Sequence, residues 1–127
     1  MFQRSLLTLV TLFGLALAAP TALPSGTVTC GSNSYSPTAI QNAITNGVSH
    51  LNSPINNYPH RYRNYEGLTM RCAGTVFNEY PILTSGLYNG GSPGADRVVF
   101  DNAGNYCAVM THTGAPTTNG FVTCRGY

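Results

Sequence analysis

One segment of the chain carries apolar residues at helical spacing. Ser36 is a favourable N-cap and Pro37 a favourable first helical residue. Pro54 should stop the helix near Leu51. The pattern therefore predicts one long helix with a single apolar face. The residues on that face are Ile40, Ala43, Ile44, Val48 and Leu51.

After Pro54 the pattern changes to short apolar segments separated by Gly, Pro and Asn, which is typical of strands joined by loops. One helix followed by such segments predicts an α+β fold, in which the helix covers one face of an antiparallel sheet. The segments that we expect to be strands are residues 58–62, 68–72, 77–83, 97–100, 106–111 and 121–124.

The beginning of the chain has the pattern of a secretory signal. Arg4 precedes an apolar run without charges from residue 5 to residue 19, and Ala16-Leu17-Ala18 supplies a small-x-small cleavage site. A membrane anchor is the alternative, but the run is shorter than the roughly 20 apolar residues of a spanning helix. We expect residues 1–18 to be a signal peptide, 19–27 a flexible lead-in or short pro-segment, and 28–127 the folded domain of a secreted protein.

Four cysteines, Cys30, Cys72, Cys107 and Cys124, fall in the expected domain. In a secreted chain this number favours two disulfides, and the spacing lacks the close pairs of a zinc site. Three pairings are possible from the sequence alone. A bridge between Cys30 and Cys124 would close almost the whole domain and contribute roughly 4–5 kcal/mol on the loop-entropy model.

Charge is scarce in this protein. After residue 18 there are five arginines, no lysine and four carboxylates, so the net charge of that part is only +1. A protein that holds nucleic acid mainly by a general basic field would be far more positive. Any nucleic-acid partner must therefore be recognised locally.

The scarce polar residues suggest one kind of chemistry. His60, Glu79, Arg97 and His112 lie in or at the end of predicted strands, and Tyr58 shares a strand face with His60. A carboxylate or histidine base, a histidine acid and an arginine on one sheet face would suit RNA transesterification, which needs no metal or cofactor. On spacing alone, the alternative is that these are scattered surface residues.

Six segments in chain order resemble the fungal guanyl-specific ribonucleases of the T-one type. Together they span essentially the whole expected domain, and the longest of them is highly specific. They are 29–33 (TCGSN), 58–67 (YPHRYRNYEG), 79–83 (EYPIL), 90–100 (GGSPGADRVVF), 111–115 (THTGA) and 119–124 (NGFVTC).

The resemblance implies a catalytic set. Glu79 would take the 2′-hydroxyl proton as general base, and His112 would protonate the 5′-leaving oxygen as general acid. The product would be a guanosine 2′,3′-cyclic phosphate, later hydrolysed to a 3′-phosphate. The supporting residues would be His60 as an imidazolium, Arg97 and Tyr58 at the phosphoryl oxygens, and Phe121 as an apolar wall.

The resemblance also implies a guanine pocket. Glu66 would accept two hydrogen bonds from the Watson–Crick edge of guanine, and Tyr62 and Tyr65 would sandwich the ring. Reading an unpaired base in this way implies single-stranded RNA as the partner. The other pocket residues would be Arg63, Asn64 and Asn119, partly through their backbone groups.

The same resemblance implies that Cys30 pairs with Cys124, and we expect Cys72 to pair with Cys107. Three features depart from the common pattern. Arg63 replaces Asn, and Arg61 and Arg63 could instead contact a neighbouring phosphate. Tyr80 replaces Trp, and the loop at 114–119 is one residue longer, which affects the placement of Asn119.

The resemblance favours a secreted, monomeric ribonuclease that has no contact with a membrane once the signal peptide is removed. Two other functions are possible. A cytotoxic, ribotoxin-like enzyme acting on ribosomal RNA is less favoured, because ribotoxins carry long lysine-rich loops. A binding protein that has lost the chemistry is disfavoured because Glu79, His60, Arg97 and His112 are all present.

Overall fold

The computed structural model describes residues 22–127. The expected signal peptide, residues 1–18, and the first three residues of the expected lead-in therefore lie outside the described residues. The elements are β1 (Val28–Cys30), β2 (Asn33–Tyr35), α1 (Pro37–Ser49), β3 (His60–Tyr62), β4 (Phe77–Pro81), β5 (Asp96–Asp101), β6 (Tyr106–Thr111) and β7 (Val122–Thr123).

The predicted helix is confirmed in α1. The Ser36 side chain accepts a hydrogen bond from the Ala39 N–H at 3.1 Å, and Pro37 is the first helical residue. The helix ends at Ser49, two residues before the expected Leu51. Gly47 lies on the buried face, where an added Cβ would come within 2.8 Å of a ring carbon of Phe100. The helix can therefore lie directly on the sheet at this point.

Five strands form one antiparallel sheet in the order β3-β4-β5-β6-β7, and β1 pairs with β2 in a separate hairpin. Successive side chains of a strand point to opposite faces. Tyr80, Val98 and Phe100 pack against Ile40 and Ile44 of α1 in the larger core. The face of the sheet that points away from the helix carries a second, smaller apolar cluster. The expected α+β fold is confirmed.

Five of the six segments expected to be strands form strands, and residues 106–111 do so with the expected bounds. The prediction of a strand at 68–72 is wrong. Its backbone groups bond elsewhere: the Leu68 N–H donates to the Asn64 side chain, and the Arg71 N–H donates to the Cys107 carbonyl. Its apolar residues pack against the smaller cluster without forming a ladder. The β1–β2 hairpin was not expected.

Both expected disulfides are present. Cys30 is bonded to Cys124 across a sequence separation of 94, and Cys72 is bonded to Cys107 across 35. In the lead-in, Leu23 is half-buried and packs against the larger core. Within residues 22–127, no helix is long and apolar enough to cross a membrane.

Candidate active site

Glu79 lies at the centre of a charged cluster on the face of the sheet away from the helix. Its side chain is only 8% exposed, on the central part of β4. One carboxylate oxygen, Oε1, is 3.0 Å from Nε2 of His60, which is directly opposite Glu79 in the β3–β4 register. The other oxygen, Oε2, accepts a hydrogen bond from Nε of Arg97 on β5 at 3.2 Å. The imidazole of His60 and the guanidinium of Arg97, from the two neighbouring strands, therefore hold the buried carboxylate.

Arg97 is buried and fixed by carbonyl groups. Its Nη1 donates to the carbonyl oxygens of Pro93 at 3.2 Å, Gly94 at 2.8 Å and Asp96 at 3.0 Å. Its Nη2 donates to the hydroxyl of Tyr58 at 3.1 Å, and the guanidinium lies over the Tyr58 ring at 5.1 Å. The planar fork of arginine suits phosphoryl oxygens. A cation held so firmly needs no reorganisation when negative charge develops beside it.

His60 is oriented by a bond at each ring nitrogen. Its Nδ1 lies 2.9 Å from the Asn57 carbonyl oxygen, so Nδ1 carries the proton and Nε2 faces Glu79. The hydrogen bond to Glu79 raises the pKa of His60 above its usual 6.5; burial opposes this rise, and the Asn57 carbonyl adds to it. The side chain is 46% exposed and within reach of a ligand. His60 therefore stays an imidazolium to higher pH than a free histidine.

His112 lies one residue beyond β6, three strands from His60. Its Nδ1 is 2.7 Å from the Gly120 carbonyl oxygen, which leaves Nε2 as the free ring nitrogen. Its ring stacks on Phe121 with 3.9 Å between centroids and 23° between planes. The backbone N–H of His112 donates to the Ala95 carbonyl at 3.0 Å. The imidazole is therefore fixed by one hydrogen bond and one stacking contact.

Asp96 links β2 to the end of β6, next to His112, and sequence reasoning missed it. Its buried carboxylate accepts hydrogen bonds from Tyr35 Oη at 2.6 Å, Thr111 Oγ1 at 2.7 Å and Asn33 Nδ2 at 2.9 Å. Burial and the hydrogen bond to Asp96 raise the pKa of Tyr35 well above its usual range. Because Thr111 directly precedes His112, Asp96 anchors the strand end that carries the imidazole. Its one sequence signal is that it is among only four carboxylates in the chain.

An open pocket of about 390 Å³ lies beside Glu79. It collects every residue expected to bind the base, and it reaches the carboxylate at the centre of the charged cluster. Of the residues that the sequence suggested for catalysis, Glu79 and Phe121 line the same pocket as those suggested for base recognition. The residues that line it are Arg61, Tyr62, Arg63, Asn64, Tyr65, Glu66, Glu79, Asn119 and Phe121.

Glu66 is held by two donors at the wall of this pocket. Its Oε1 accepts from the Tyr62 hydroxyl at 2.6 Å, and its Oε2 accepts from the Phe121 N–H at 3.0 Å. Burial works to raise the pKa of Glu66, but the bonds from Tyr62 and Phe121 outweigh it and lower the pKa below its usual value. The carboxylate is therefore ionised and pointed at a fixed position.

The two tyrosines expected to sandwich a base differ sharply in exposure. Tyr62 is buried and meets Phe121 edge-on at 5.7 Å between ring centroids, whereas Tyr65 is 88% exposed. The sandwich of a base between them stays a prediction. Asn64 has a positive φ of 55°, and its side chain bonds both backbone groups of Leu68. Asn64 therefore shapes the turn that carries Tyr65 and Glu66, and Asn119 also lines the pocket.

Comparisons with known proteins give a consistent result. A family model described as ribonuclease matches residues 23–125. The chain is 44% identical over 134 residues to guanyl-specific ribonuclease C2 of Aspergillus clavatus, with 100% of both chains covered. It is 44% identical over 131 residues to guanyl-specific ribonuclease T1 of Aspergillus oryzae, covering 98% of this chain and 99% of the relative.

Two further matches are to a relative named as extracellular and to a solved structure. The chain is 42% identical over 100 residues to an extracellular guanyl-specific ribonuclease, Fl1, of Gibberella baccata, covering 76% of this chain and 93% of the relative. Among solved structures it is similar to the ribonuclease He1 of Hericium erinaceus, with a TM-score of 0.62 and 43% identity. That match covers 79% of this chain and 99% of the other.

Proposed function

The chain belongs to the family of the fungal guanyl-specific ribonucleases, and from that premise we propose that it cleaves single-stranded RNA on the 3′ side of guanosine. The observation that carries the proposal is the buried Glu79 carboxylate, held between His60 and Arg97 in a pocket that also contains Glu66. A general base and a base-reading carboxylate thus line one pocket, and two cations contact the general base.

In the first step Glu79 acts as general base. It removes the proton from the 2′-hydroxyl of the guanosine, and the 2′-oxygen attacks the adjacent phosphorus to form a new P–O bond. His112 donates the proton of its Nε2 to the 5′-oxygen as the bond from phosphorus to that oxygen breaks. The products are a 2′,3′-cyclic phosphate and a free 5′-hydroxyl, so the step needs no external acid or base.

The negative charge that develops on phosphorus requires fixed positive groups. Arg97 presents a guanidinium whose position is set by three carbonyl groups and the Tyr58 hydroxyl. His60, kept protonated by its bond to Glu79, supplies a second positive charge. The apolar ring of Phe121 covers one side of His112 and limits the access of water. Preorganised charge of this kind is usually the largest contribution to catalysis.

In the second step the roles reverse. His112, now neutral, takes a proton from water, and the water oxygen attacks the cyclic phosphate. Glu79 returns its proton to the 2′-oxygen as the bond from phosphorus to that oxygen breaks. The product is a 3′-phosphate, and both residues return to their starting protonation states.

Guanine is selected by donors that match Glu66. Its N1–H and exocyclic N2–H point in the same direction and fit the two oxygens of one carboxylate. Adenine has no N1–H and cannot form this pair. An ionised carboxylate accepts about four hydrogen bonds, so the Phe121 N–H can stay bound while guanine is read. Tyr62 and Tyr65 provide stacking surfaces on the ring, and Asn64 together with backbone groups of Arg63, Asn64 and Asn119 completes the pocket.

The protein acts outside the cell as a monomer after removal of residues 1–18, with residues 28–127 as the catalytic domain. Two disulfides favour an oxidising compartment, and one relative is named as extracellular. The N-terminal sequence of the protein recovered from culture medium tests this part. A chain that starts at Ala19 or shortly after it is expected, and a retained Met1 would contradict it.

The decisive experiment uses an oligonucleotide with a single guanosine and excess chelator. A single cut on the 3′ side of the guanosine, with a cyclic phosphate end, is expected from the oxidised protein. Glu79→Ala and His112→Ala should each lower the rate by about 10²–10⁴-fold. Gln41→Ala, at an exposed position of α1, is the matched control and should cut at the normal rate. Uncut RNA, or cuts after all four bases, would contradict the proposal.

A further inference from the structure

Two arginines, Arg61 and Arg63, stand at the rim of the guanine pocket and are exposed. Arg61 lies on β3 opposite Asn78, and Arg63 follows the strand. They alternate with His60 and Tyr62, whose side chains belong to the face that carries Glu79. Because neighbours on a strand point to opposite sides, Arg61 does not point toward Glu79 as His60 does. Both arginines nevertheless border the pocket.

Within residues 22–127, neither of these two guanidinium groups has an ion-pair or side-chain hydrogen-bond partner. Among residues 22–127 the ion pairs within 4.0 Å are His60–Glu79 and Arg97–Glu79. Arg71, by contrast, lies over the Tyr127 ring at 4.1 Å and donates to a carbonyl. In the described part of the chain, no side-chain hydrogen bond comes from Arg61 or Arg63, and the nearby Glu66 is bound by other donors. The rim therefore presents two positive charges to a ligand.

The chain has only six arginines and no lysine, and two of these arginines line the base pocket. We propose that Arg61 and Arg63 form a binding site for the RNA backbone phosphates that lie on the 5′ side of the bound guanosine. This inference rests on the proposed function. It adds a recognition element for polynucleotides that is separate from both the base pocket and the reacting phosphate.

The direction of the RNA follows from the sheet order. His112, which protonates the departing 5′-oxygen, lies at the end of β6, and β3 lies at the edge of the sheet three strands away. With about 4.8 Å between neighbouring strands, this separation is roughly 14 Å. The 3′ part of the RNA departs on the His112 side, so the 5′ part extends toward Arg61 and Arg63.

The test compares UpUpGpU, which has two phosphates upstream of guanosine, with GpU and GpUpU, which have none. Arg61→Gln/Arg63→Gln should lower kcat/KM for UpUpGpU by a clearly larger factor than for GpU and GpUpU. Two lost phosphate contacts should reduce the slope of log kcat/KM against log salt by about 1.4 for UpUpGpU. Raising salt from about 50 to about 200 mM should therefore cost the unaltered protein about sevenfold more than the double variant.

Two further variants define the result. Arg125→Gln removes an exposed arginine outside the pocket. It should leave kcat/KM unchanged for both UpUpGpU and GpU. Arg61→Lys/Arg63→Lys keeps the charges and should restore the salt slope. The inference would be overturned if the Gln double variant lost kcat/KM equally on UpUpGpU and GpU, lost it only on GpUpU, or kept the salt slope of the unaltered protein. An equal effect of Arg125→Gln would also overturn it. Failure of the unaltered protein to cut GpU would instead contradict the proposed function.

Discussion

His60 and Glu79 face each other across β3 and β4, with Nε2 of the imidazole 3.0 Å from Oε1 of the carboxylate. The carboxylate is buried, whereas the imidazole is partly open to solvent. The bond raises the pKa of His60, so that in the proposed mechanism the imidazolium can stabilise the charge on the reacting phosphate. The same bond fixes the orientation of the carboxylate that takes the 2′-hydroxyl proton in the proposed mechanism.

The pKa of His60 should therefore depend on Glu79. We expect an NMR titration of the His60 ring to give a pKa above 6.5, and Glu79→Gln to lower it. Because the folded-state pKa is raised, the stability that this pair contributes is complete below the unfolded-state pKa. It is lost as pH rises through the folded-state pKa. Glu66→Gln is the control, because it alters a carboxylate that contacts Tyr62 and not His60. It should leave the pKa of His60 unchanged.

The general acid can be separated from the general base by the leaving group. His112→Ala should lower cleavage of GpU by about 10²–10⁴-fold. With guanosine 3′-(4-nitrophenyl phosphate), whose leaving group departs without a proton, the same variant should lose far less activity. Glu79→Ala should remain severely impaired on both substrates because the 2′-hydroxyl must still be deprotonated. Equal losses of His112→Ala on the two substrates would show that His112 is not the acid.

Guanine selection should depend on the charge of Glu66. Glu66→Gln removes one of the two acceptors and should reduce the preference for GpU over ApU by about 1–3 kcal/mol, or roughly 5- to 150-fold in kcat/KM. Because the pKa of Glu66 is lowered, the preference for GpU over ApU should persist at pH values below the usual pKa range of carboxyl groups. It should disappear only as pH falls through that lowered pKa. Steady-state kinetics on both dinucleotides between pH 3 and 7 measures both effects; a constant preference in Glu66→Gln would refute the assignment.

Asp96 should contribute strongly to stability without touching the substrate. Asp96→Asn places amide hydrogens toward the donors Tyr35, Asn33 and Thr111. Hydrogen bonds to a charged group contribute about 1.5–3 kcal/mol, and we expect the free energy of unfolding in urea to fall by about that amount. Ser34→Ala, at an exposed position of β2, should unfold at the unaltered midpoint. An unchanged midpoint in Asp96→Asn would rule out the anchoring role.

The parts of the fold that were predictable from sequence depend on local signals. The α1 helix has its cap, its first proline and its apolar spacing within one continuous segment. The central strands β4, β5 and β6 are buried along nearly their whole length, and β6 is an almost continuous apolar run that ends at Thr111. The bounds of β6 were correct for this reason.

The errors in the fold prediction arise from distant partners. Residues 68–72 look like a strand because apolar residues alternate in them, but their backbone groups bond Asn64 and Cys107 instead of a neighbouring strand. The β1 and β2 strands have only three residues each, and they are joined by a turn at Gly31 with a positive φ of 59°. Such short strands have too few residues to show a period.

The candidate site was predictable to the extent that charge is scarce. Glu79, Arg97 and His60 stood out because few other charged or titratable residues compete with them. Asp96 did not, because its role depends on residues from β2 and β6 that are distant in sequence. The bond between Tyr62 and Glu66 was also not expected, since it depends on the turn made at Asn64.

The two disulfides also determine what happens to a chain that a protease has cut. The loop at residues 84–87 is exposed and lies between the strand that carries Glu79 and the one that carries Arg97. Cys30 and Cys72 precede this loop, whereas their partners Cys124 and Cys107 follow it. A single cut there yields two pieces that both bridges still join covalently. The piece with Glu79 cannot diffuse away from the piece with Arg97, so losing one peptide bond does not disperse the site.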